Sequence, residues 1–561
     1  MNNFDQWFSE FKKTNDYQIL SKNPVVYFCA EYALTSEIQS YAGGLGILAG
    51  DLLKEAGKQD LPFVAIGLYY REGYTQEESE HWNRSRISPE EAGLKPVLDK
   101  NKQNLLVSVP ISDKTIYARV WLWKEKNASL YLLDTETPEN EKREDRDITN
   151  RLYTTNKEIR IKQEMLLGIG GIRLLKRLEI QPSIYHLNEG YPAFAIFELI
   201  KEEMDNNKSD FSKACEQIRQ KIIYTNHTLI SGGHHTFSAD LVSIVISDYS
   251  KEFKISVTDL LSLGLIPDSS LFSPTMLCLR LSGKMNTVSD LHNEEAKKIW
   301  RDREIETVTN GIFLPFWDKI NSDNENDFFP KHQENKRKLL AVIKEKTKEN
   351  WSENELLIGW ARRIVAYKRP LAILENLEEF KKLATNSGRP IKIVFAGISH
   401  ENDAEAANLL NKLQSIVQNE LKTTAVFLKN YNIELAELLI AGCDIWLNTP
   451  IVKSEACGTS GMKAALNCVL PLTTRDGWVN EARLQKVGWT AHDPNLSADL
   501  IRLLENEIAP LYYQHLNIPI GSDWVKRMVE ARKMIINNFS ATRVLKDYME
   551  KMYLPIITNL Q

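Results

Sequence analysis

Residues 356–370 read LLIGWARRIVAYKRP, a short apolar run followed by four cations within eight residues, and the prediction of the fold starts from this junction. The run has the length and apolar character of a buried strand in a parallel sheet. Similar runs recur further along, separated by helical stretches: IKIVFAG at 391–397, TAVFLKN at 424–430 and DIWLN at 444–448. Alternation of strands and helices in this way predicts a parallel, doubly wound sheet.

The first half of the chain has the same design. Apolar runs predict strands at 24–34, 61–70, 104–111, 116–123, 183–191 and 221–229. The last two end in polar residues, and ligands of open α/β sheets gather at the carboxyl ends of strands. We therefore predict the α/β class, with two doubly wound Rossmann-like domains that face each other across a cleft.

A polar, turn-rich stretch at 320–350 predicts the boundary between the two domains. We place an N-terminal α/β domain at 1–345 and a C-terminal α/β domain at 346–561. The tail at 524–553 has amphipathic helical patterning, and we expect its helices to pack back on the N-terminal domain.

Composition excludes several classes of protein. With 561 residues, 43% hydrophobic and 26% charged, the sequence is that of a globular protein too long for one core. A net charge of −5 gives no reason to expect nucleic acid or an anionic membrane as a partner. The six cysteines are scattered without metal-ligand spacing, so we expect reduced thiols, no metal site and a cytoplasmic location. No apolar run reaches the thickness of a bilayer, and the N-terminus lacks the apolar core of a secretion signal.

The segment SEACGTSGMKAALNC at 454–468 suggests a phosphate site. Gly458, Thr459, Ser460 and Gly461 form a turn of small residues ahead of a predicted helix, which leaves backbone N–H groups facing an anion. Lys463 would then be a counter-charge or a covalent anchor. The alternative is a capped glycine loop with a solvated lysine.

Two further features indicate phosphate. Arg362, Arg363, Lys368 and Arg369 follow the strand-like run of 356–361, which places the first of them at its carboxyl end. We expect Arg369 to remain on a solvated face. The glycine loop YAGGLGILAGD at 41–51 opens another helical pattern, with Gly43, Gly44 and Gly46 at its start. We expect all three features to meet in the crevice between the domains.

At this point the sequence resembles the α-glucan phosphorylases, the glycogen and maltodextrin phosphorylase family, in a short bacterial form. The resemblance rests on EACGTSGMKAALN, ARRIVAYKRP and YAGGLGILAGD, and on HLNEGYPAF, YTNHT, LRLSGKMNTVSDLHNEEAKKIW and VTNGI elsewhere. It covers most of the chain, from about residue 25 to about residue 553. It implies a GT-B type architecture and retaining phosphorolysis of an α-1,4-glucan from its non-reducing end. The products would be α-D-glucose 1-phosphate and a shortened glucan.

The resemblance also implies a cofactor, pyridoxal 5′-phosphate, attached to Lys463. The residues implied to hold this cofactor are Gly458, Thr459, Gly461, Lys368, Arg362 and Tyr431. Arg363, Lys368 and the backbone of Gly44 would bind inorganic phosphate. The residues implied to contact the glucan are Gly43, Gly44, Leu45, Asn188, Glu189, His227, Glu455 and Cys457. Catalysis would depend on Lys463, Arg363, Lys368, His227 and Glu455.

Several positions depart from the usual family pattern, among them Val365 and Ala366, where long-chain relatives carry His-Glu. Tyr191 and Phe313 stand where relatives often have histidine, and Cys457 stands where they often have serine. These positions lie around sugar contacts, so they bear on the preferred glucan. Similar enzymes are often dimers, and by analogy with them alone we expect a homodimer.

Two other functions fit the same architecture. A nucleotide-sugar glycosyltransferase would have no use for an imine-forming lysine at position 463. A non-catalytic glucan-binding relative would be expected to lose its phosphate-binding cations, whereas Arg363, Lys368 and Lys463 are all present.

Overall fold

A computed structural model describes residues 3–35, 37–38, 40–72, 87–229, 235–252, 255–399, 403–517 and 521–559 of the chain. Its helices and strands are organised around one ten-stranded and one six-stranded sheet. Both sheets are largely or wholly parallel, so the predicted α/β class with two doubly wound sheets and GT-B type architecture is confirmed.

The ten-stranded sheet is built by the first half of the chain. Its strands are β1 (Val25–Phe28), β2 (Phe63–Leu68), β3 (Lys95–Pro96), β4 (Leu106–Ile111), β5 (Lys114–Glu125), β6 (Ala128–Asp134), β7 (Ile184–Asn188), β8 (Ile222–Thr225), β11 (Lys284–Thr287) and β12 (Glu306–Thr307), while β9 (Phe237–Ser238) and β10 (Leu271–Phe272) form a separate hairpin. The parallel part runs in the order β12-β11-β8-β7-β1-β2-β6, and β5 continues it as an antiparallel neighbour of β6. Strand order therefore reverses between β1 and β7, which is where such sheets bind ligands.

The six-stranded sheet belongs to the second half. Its strands are β13 (Leu356–Ala361), β14 (Ile391–Ala396), β15 (Ala425–Leu428), β16 (Ile445–Asn448), β17 (Leu470–Thr474) and β18 (Trp489–Ala491). All pairs are parallel, in the order β15-β14-β13-β16-β17-β18. This is the Rossmann order, and it reverses between β13 and β16.

Helices cover the faces of both sheets. In the first half the α-helices are Asn3–Phe11, Asn15–Lys22, Gly44–Lys58, Arg143–Arg146, Lys157–Met165, Gly171–Arg177, Ala195–Asn207, Phe211–Arg219, Ala239–Val245, Ser247–Lys251, Val257–Ser262, Pro274–Leu281, Asp290–Ile299 and Leu314–Trp317. In the second half they are Phe328–Thr347, Leu377–Ala384, Ala404–Asn419, Ile433–Gly442, Ser460–Leu466, Leu496–Leu503, Ala509–Asn517, Asp523–Asn538, Ala541–Asp547 and Leu554–Asn559. Three π-helical segments, Leu166–Gly170, Leu504–Ile508 and Tyr548–Tyr553, join helices end to end.

The central parallel strands of both sheets are buried on both faces, as continuous apolar runs require, whereas β3, β4, β5 and β12 at the edges of the first sheet are partly exposed. Every residue of β1, β2 and β13 is buried. Such strands cannot stand alone in water, and burying a Leu, Ile or Val side chain contributes about 1.5–3 kcal/mol.

The two halves of the chain contact each other through the C-terminal helices. Tyr553 Oη lies 2.8 Å from His186 Nδ1 in β7, and Thr542 donates to Glu55 at 2.9 Å. The boundary at 345 and 346 stays a prediction. The helix just before it, Phe328–Thr347, contributes buried residues to the core of the second sheet, among them Leu339 and Ile343.

Within the described part of the chain, no helix combines the length and the apolar character needed to cross a membrane.

Candidate active site between the two sheets

Lys463 lies in the short helix Ser460–Leu466 and is only 6% exposed. Its Nζ lies 3.9 Å from the centroid of the Trp317 ring. The Trp317 indole N–H donates in turn to the buried carboxylate of Asp51, at 2.9 Å. Lys463 is therefore buried against an aromatic ring that is itself bonded to the helix Gly44–Lys58, and the alternative of a solvated lysine does not hold.

The electrostatics of this pocket make Lys463 a more reactive amine than a surface lysine. Burial lowers its pKa to about 8, although the charge of Asp51 opposes the shift. Burial likewise raises the pKa of Asp51, and Lys463 opposes that shift. An amine with such a pKa is partly unprotonated near neutral pH, which is the form that attacks a carbonyl.

A cluster of cations lies at the strand-order reversal of the second sheet. Arg362 follows β13 directly, and its Nη2 donates to Glu455 Oε2 at 2.8 Å. Lys368 Nζ donates to the same oxygen at 2.5 Å. Burial and the charge of Arg362 lower the pKa of Lys368 to about 7. Burial alone would raise the pKa of Glu455, but Lys368 and Arg362 hold it at about 2.

This cluster carries more positive charge than its own carboxylate neutralises. One oxygen of Glu455 serves both Arg362 and Lys368, and Arg363 adds a third charge from an exposed position. The Nε and Nη1 atoms of Arg362 are buried and have no hydrogen-bond partner. Buried guanidinium donors are costly to leave unpaired, so the cluster is suited to bind an anion.

The loop that carries Glu455 is fixed by Asp476. Its carboxylate accepts from the backbone N–H groups of Ser454, Glu455 and Gly477, at 3.2, 2.8 and 2.8 Å. Burial raises the pKa of Asp476 to about 6. Asp476 therefore sets the direction in which Glu455 enters the cation cluster.

Two glycines permit the turn around Glu455. Gly458 has a φ of +82°, and Gly477 has a φ of +57° with the Cys457 carbonyl oxygen only 2.2 Å from the place of a Cβ. A side chain at position 477 would collide with backbone. The Cys457 carbonyl accepts from Trp478 N–H at 3.1 Å, so Cys457 acts here through its backbone. Thr459 precedes the helix, and Gly461 lets Asn448 and Trp478 approach closely.

The glycine loop is held by Glu31, which follows β1. Glu31 Oε2 accepts from the N–H groups of Ala42 and Gly43 at 2.8 and 3.2 Å. Gly43 caps the helix Gly44–Lys58, Gly44 is exposed, and Leu45 is half-buried against the core of the first sheet. The loop thus opens a helix, as predicted, but two of its amides already serve a carboxylate.

Tyr431 lies within electrostatic range of both this loop and the cations. Burial raises its pKa to about 12, and the charge of Arg362 opposes the shift. Burial also raises the pKa of Tyr41 at the start of the glycine loop, and Tyr431 adds to that shift. Residues predicted from three separate motifs are therefore brought together across the two halves of the chain.

A second group of predicted residues follows β7 and β8 of the first sheet. His227 Nε2 lies 2.6 Å from Asn188 Oδ1, and its backbone N–H donates to Glu189 Oε1 at 2.5 Å. Burial lowers the pKa of His227 to about 3, so its ring is neutral. Since an amide oxygen only accepts, the ring N–H is on Nε2 and Nδ1 keeps its lone pair. This group is uncharged at its centre and rich in hydrogen-bonding atoms.

Glu189 has an unusual backbone and an unusual carboxyl. Its φ is +68°, a left-handed conformation that is rare for a non-glycine residue and clusters at functional sites. Burial raises its pKa to about 7 although the His227 N–H opposes the shift.

Tyr191 packs into a buried polar cluster. Its ring centroid lies 5.6 Å from that of Tyr153 and 5.0 Å from that of His235, and Arg160 lies over it at 4.9 Å. His235 contacts the buried Glu164 at 2.6 Å.

Phe313 donates its backbone N–H to Asp51 at 3.1 Å.

The expectation for Arg369 is wrong. Its Nε and Nη2 donate to the carbonyls of Thr449 and Pro450 at 2.8 and 2.7 Å, and it pairs with Asp493. Arg369 therefore fastens the turn after β13 to the turn after β16 instead of lying on a solvated face.

Four residues that position the predicted site residues were not predicted from the sequence. These are Glu31, Asp51, Trp317 and Asp476. Asp51 had a signal, because an acidic residue ends the quoted glycine-loop motif inside an apolar helix. Trp317 and Asp476 are isolated in sequence from any motif.

Comparisons with known proteins identify the family of the chain. The family model described as carbohydrate phosphorylase matches residues 100–253 and 318–489, more than half of the chain. Maltodextrin phosphorylase of Thermococcus litoralis is 35% identical, over 96% of this chain and 71% of that protein. Glycogen phosphorylase of Aquifex aeolicus is 32% identical, over 96% of this chain and 87% of that protein. An uncharacterised protein of Methanocaldococcus jannaschii is 28% identical, over 94% of this chain and 99% of that protein.

Proposed function

The chain belongs to the carbohydrate phosphorylase family, and we propose that it is an α-glucan phosphorylase that uses pyridoxal 5′-phosphate. It cleaves the terminal α-1,4-linked glucosyl unit at the non-reducing end of a glycogen, starch or maltodextrin chain. Inorganic phosphate is the second substrate and α-D-glucose 1-phosphate the product. The single observation that carries the proposal is the surplus of buried positive charge of Arg362 and Lys368, bonded through Glu455 to the segment that carries the buried Lys463.

The residues of the site fit the proposed cofactor. Lys463 supplies an amine that is partly unprotonated near pH 8, next to the aromatic face of Trp317. The unpaired donors of Arg362 and the amine of Lys368 supply charge for a phosphate. Gly458, Thr459 and Gly461 provide a turn that leads into a helix. When bound, the cofactor supplies a phosphate whose second pKa of about 6 suits proton transfer near neutral pH.

The cations act by neutralising charge. Two phosphates side by side repel each other, and Arg362, Arg363 and Lys368 offset this repulsion. Removing one donor from such a preorganised site typically costs about 10²–10³ in rate. No pair of carboxylic acids is needed, in contrast to most glycosidases.

The residues after β7 and β8 hold the sugar. His227 is neutral, donates through Nε2 to Asn188 and offers Nδ1 as an acceptor for a glucosyl hydroxyl. Glu455 and the Cys457–Gly458 backbone contact the same unit from the second sheet. The Glu455 carboxylate also pairs with Arg362 and Lys368, which links the sugar contact to the cation cluster.

The two rival functions make different predictions. Transfer from a nucleotide sugar is not favoured by the family to which the chain belongs. A non-catalytic relative is expected to have lost its anion site, whereas Arg362, Lys368 and Lys463 form a buried set here.

The test is an assay of the purified protein, supplied with the cofactor, on maltodextrin and inorganic phosphate. We expect α-D-glucose 1-phosphate to form, and its formation to require both phosphate and cofactor. Release of glucose without phosphate, or turnover only with a nucleotide sugar, would contradict the proposal.

A further inference from the structure

The last turns of the chain lie against buried polar residues of the first sheet. His186 of β7, Thr225 of β8 and Asn286 of β11 are neighbours in the sheet and are 0% exposed. Tyr548 and Tyr553 stack over them, with ring centroids 5.8 Å apart and planes at 12°. Five polar side chains that meet where water is excluded must satisfy one another.

They do so through an unbroken chain of short hydrogen bonds. Tyr553 Oη lies 2.8 Å from His186 Nδ1, and His186 Nε2 lies 2.6 Å from Thr225 Oγ1. Thr225 Oγ1 lies 2.6 Å from Asn286 Oδ1. By contrast, the hydroxyl of Tyr548 is 3.4 Å from both Thr225 and Asn286.

The direction of this chain follows from its last member. The amide nitrogen of Asn286 donates to the Thr287 carbonyl at 3.2 Å, so Oδ1 faces Thr225 and can only accept. The single hydroxyl proton of Thr225 is then donated to Asn286, and Thr225 must accept from His186 Nε2. A neutral imidazole with its proton on Nε2 has a lone pair on Nδ1, so Tyr553 must donate to it.

Thr225, a member of this hydrogen-bond chain, is the last residue of β8 and lies two residues before His227. The Thr225 carbonyl accepts from Glu189 N–H at 3.0 Å, and Asn226 N–H donates to the Asn286 carbonyl at 3.0 Å. His227 follows one residue later and donates its own N–H to Glu189. His227 and Tyr548 also line the same cavity of about 20 Å³, large enough for one water molecule.

We propose that Tyr553 is a positioning residue for the sugar-binding side of the site, acting on His227 through His186 and Thr225. Its hydroxyl fixes the proton of His186 on Nε2, which fixes the Thr225 hydroxyl toward Asn286 and so holds the end of β8 in one arrangement. Without that hydroxyl, His186 can carry its proton on Nδ1 and accept from Thr225, and the Thr225–Asn286 bond is lost. This inference rests on the proposed role of His227 in glucan binding.

The kinetic test is Tyr553→Phe, which removes only the hydroxyl. We expect the KM for maltodextrin to rise about threefold to tenfold, as loss of one ordered hydrogen bond implies, with the KM for phosphate and the cofactor content unchanged. Tyr17→Phe is the matched control, because it removes a phenol bond to a carbonyl at 3.0 Å in the same half of the chain. A parallel rise in both KM values, or an equal effect of the control, would overturn the proposal.

A second measurement does not depend on activity. With ¹⁵N-labelled histidine, the ring shifts of His186 should report protonated Nε2 in the unchanged protein and a mixture of tautomers in Tyr553→Phe. In a protein that already carries Thr225→Val, adding Tyr553→Phe should change the KM for maltodextrin very little, because both substitutions interrupt the same hydrogen-bond chain. An unaltered His186 tautomer in Tyr553→Phe, or additive effects on the KM for maltodextrin in the double variant, would contradict the proposed hydrogen-bond chain. If the unchanged protein shows no phosphorolysis at all, the proposed function fails, and the tautomer measurement still decides the hydrogen-bond chain.

Discussion

The two sheets carry different kinds of side chain at the place where their strand order reverses. Where strand order reverses in the first sheet, β1 and β7 are followed by Glu31 and Glu189, with neutral His227 close by. Where it reverses in the second sheet, β13 is followed by Arg362 and the loop that brings Lys368. One strand-end region offers neutral and acidic hydrogen-bonding groups, and the other offers buried cations.

This difference separates the two tasks of the proposed reaction. A sugar carries no charge and is recognised by hydrogen bonds, which a neutral histidine and amides supply. Phosphate is recognised by charge, and its site needs guanidinium and ammonium groups in a place that excludes water. The fold provides the location of both regions, and the few residues after each strand decide which ligand each one suits.

The largest effect is expected on the cationic side, from Lys463→Ala. Removal of the amine that anchors the proposed cofactor should reduce phosphate-dependent cleavage to background, because the cofactor then loses its covalent attachment. Glucose 1-phosphate release measures the activity, and thermal unfolding measures the fold. Lys453→Ala is the control, since Lys453 is exposed and pairs with Glu295 at 3.1 Å. Substantial activity in Lys463→Ala would break the assignment of the cofactor site.

Arg362→Met tests whether the cation cluster serves an anion. We expect a loss of about 10²–10³ in kcat/KM for phosphate and a small change in the unfolding temperature. Arg369→Met is the matched comparison in the same segment, because Arg369 binds two carbonyls and Asp493. That variant should lower stability and leave the phosphate dependence nearly intact. If the two variants behaved alike, the division between anion-binding and structural arginines would be wrong.

Glu189→Gln tests the neutral side through its pH dependence. The folded-state pKa of Glu189 is raised to about 7, above its ordinary value of 4.5, so the carboxyl stays protonated in the fold while it ionises in the unfolded chain. The unfolded state then binds fewer protons, and stability falls as pH rises between these two values. Over this pH range the free energy of unfolding of the unchanged protein should fall by up to roughly 3 kcal/mol relative to that of Glu189→Gln.

Denaturant unfolding at pH 4.5, 6 and 8 measures that difference. Glu141→Gln, at an exposed position, should follow the unchanged protein at every pH. A constant difference between the unchanged protein and Glu189→Gln would show that Glu189 is ionised in the fold.

The smallest effect is expected from Asp51→Asn, which removes a charge near Lys463 and keeps an acceptor for Trp317. The Asp51 carboxylate raises the pKa of Lys463, so its loss should lower that pKa below about 8. The pH dependence of Lys463 acylation in cofactor-free protein, followed by peptide mass spectrometry, measures the shift. Glu437→Gln is the control, because Glu437 pairs with Lys319 at 3.2 Å. An unchanged or raised pKa would remove Asp51 from the electrostatics of the pocket.

Much of the fold could be predicted because parallel strands leave continuous apolar runs. The runs at β1, β2, β13 and β14 are such cases. The strands that were not predicted are β3, β6, β9, β10, β11, β12, β17 and β18. β17 is five residues long and contains Pro471, which argues against a strand on local grounds, and only its neighbours in the sheet decide the matter.

The site could be predicted only in part, for a related reason. Lys463 and the cations after β13 lie in motifs, so local sequence identifies them. The partner of Trp317 is Asp51, 266 residues away, and the carboxylate that fixes Glu455 is 21 residues beyond it in another loop. Contacts of this kind are set by the packing of the two halves of the chain, which leaves no local pattern.

The most direct test of the proposed cofactor site is to reduce the purified, cofactor-loaded protein with borohydride and map its peptides. We expect one 5′-phosphopyridoxyl group, on Lys463, in the peptide that contains Gly458 and Gly461. A modified lysine at any other position, or a protein that cleaves maltodextrin with phosphate and carries no such group, would contradict it.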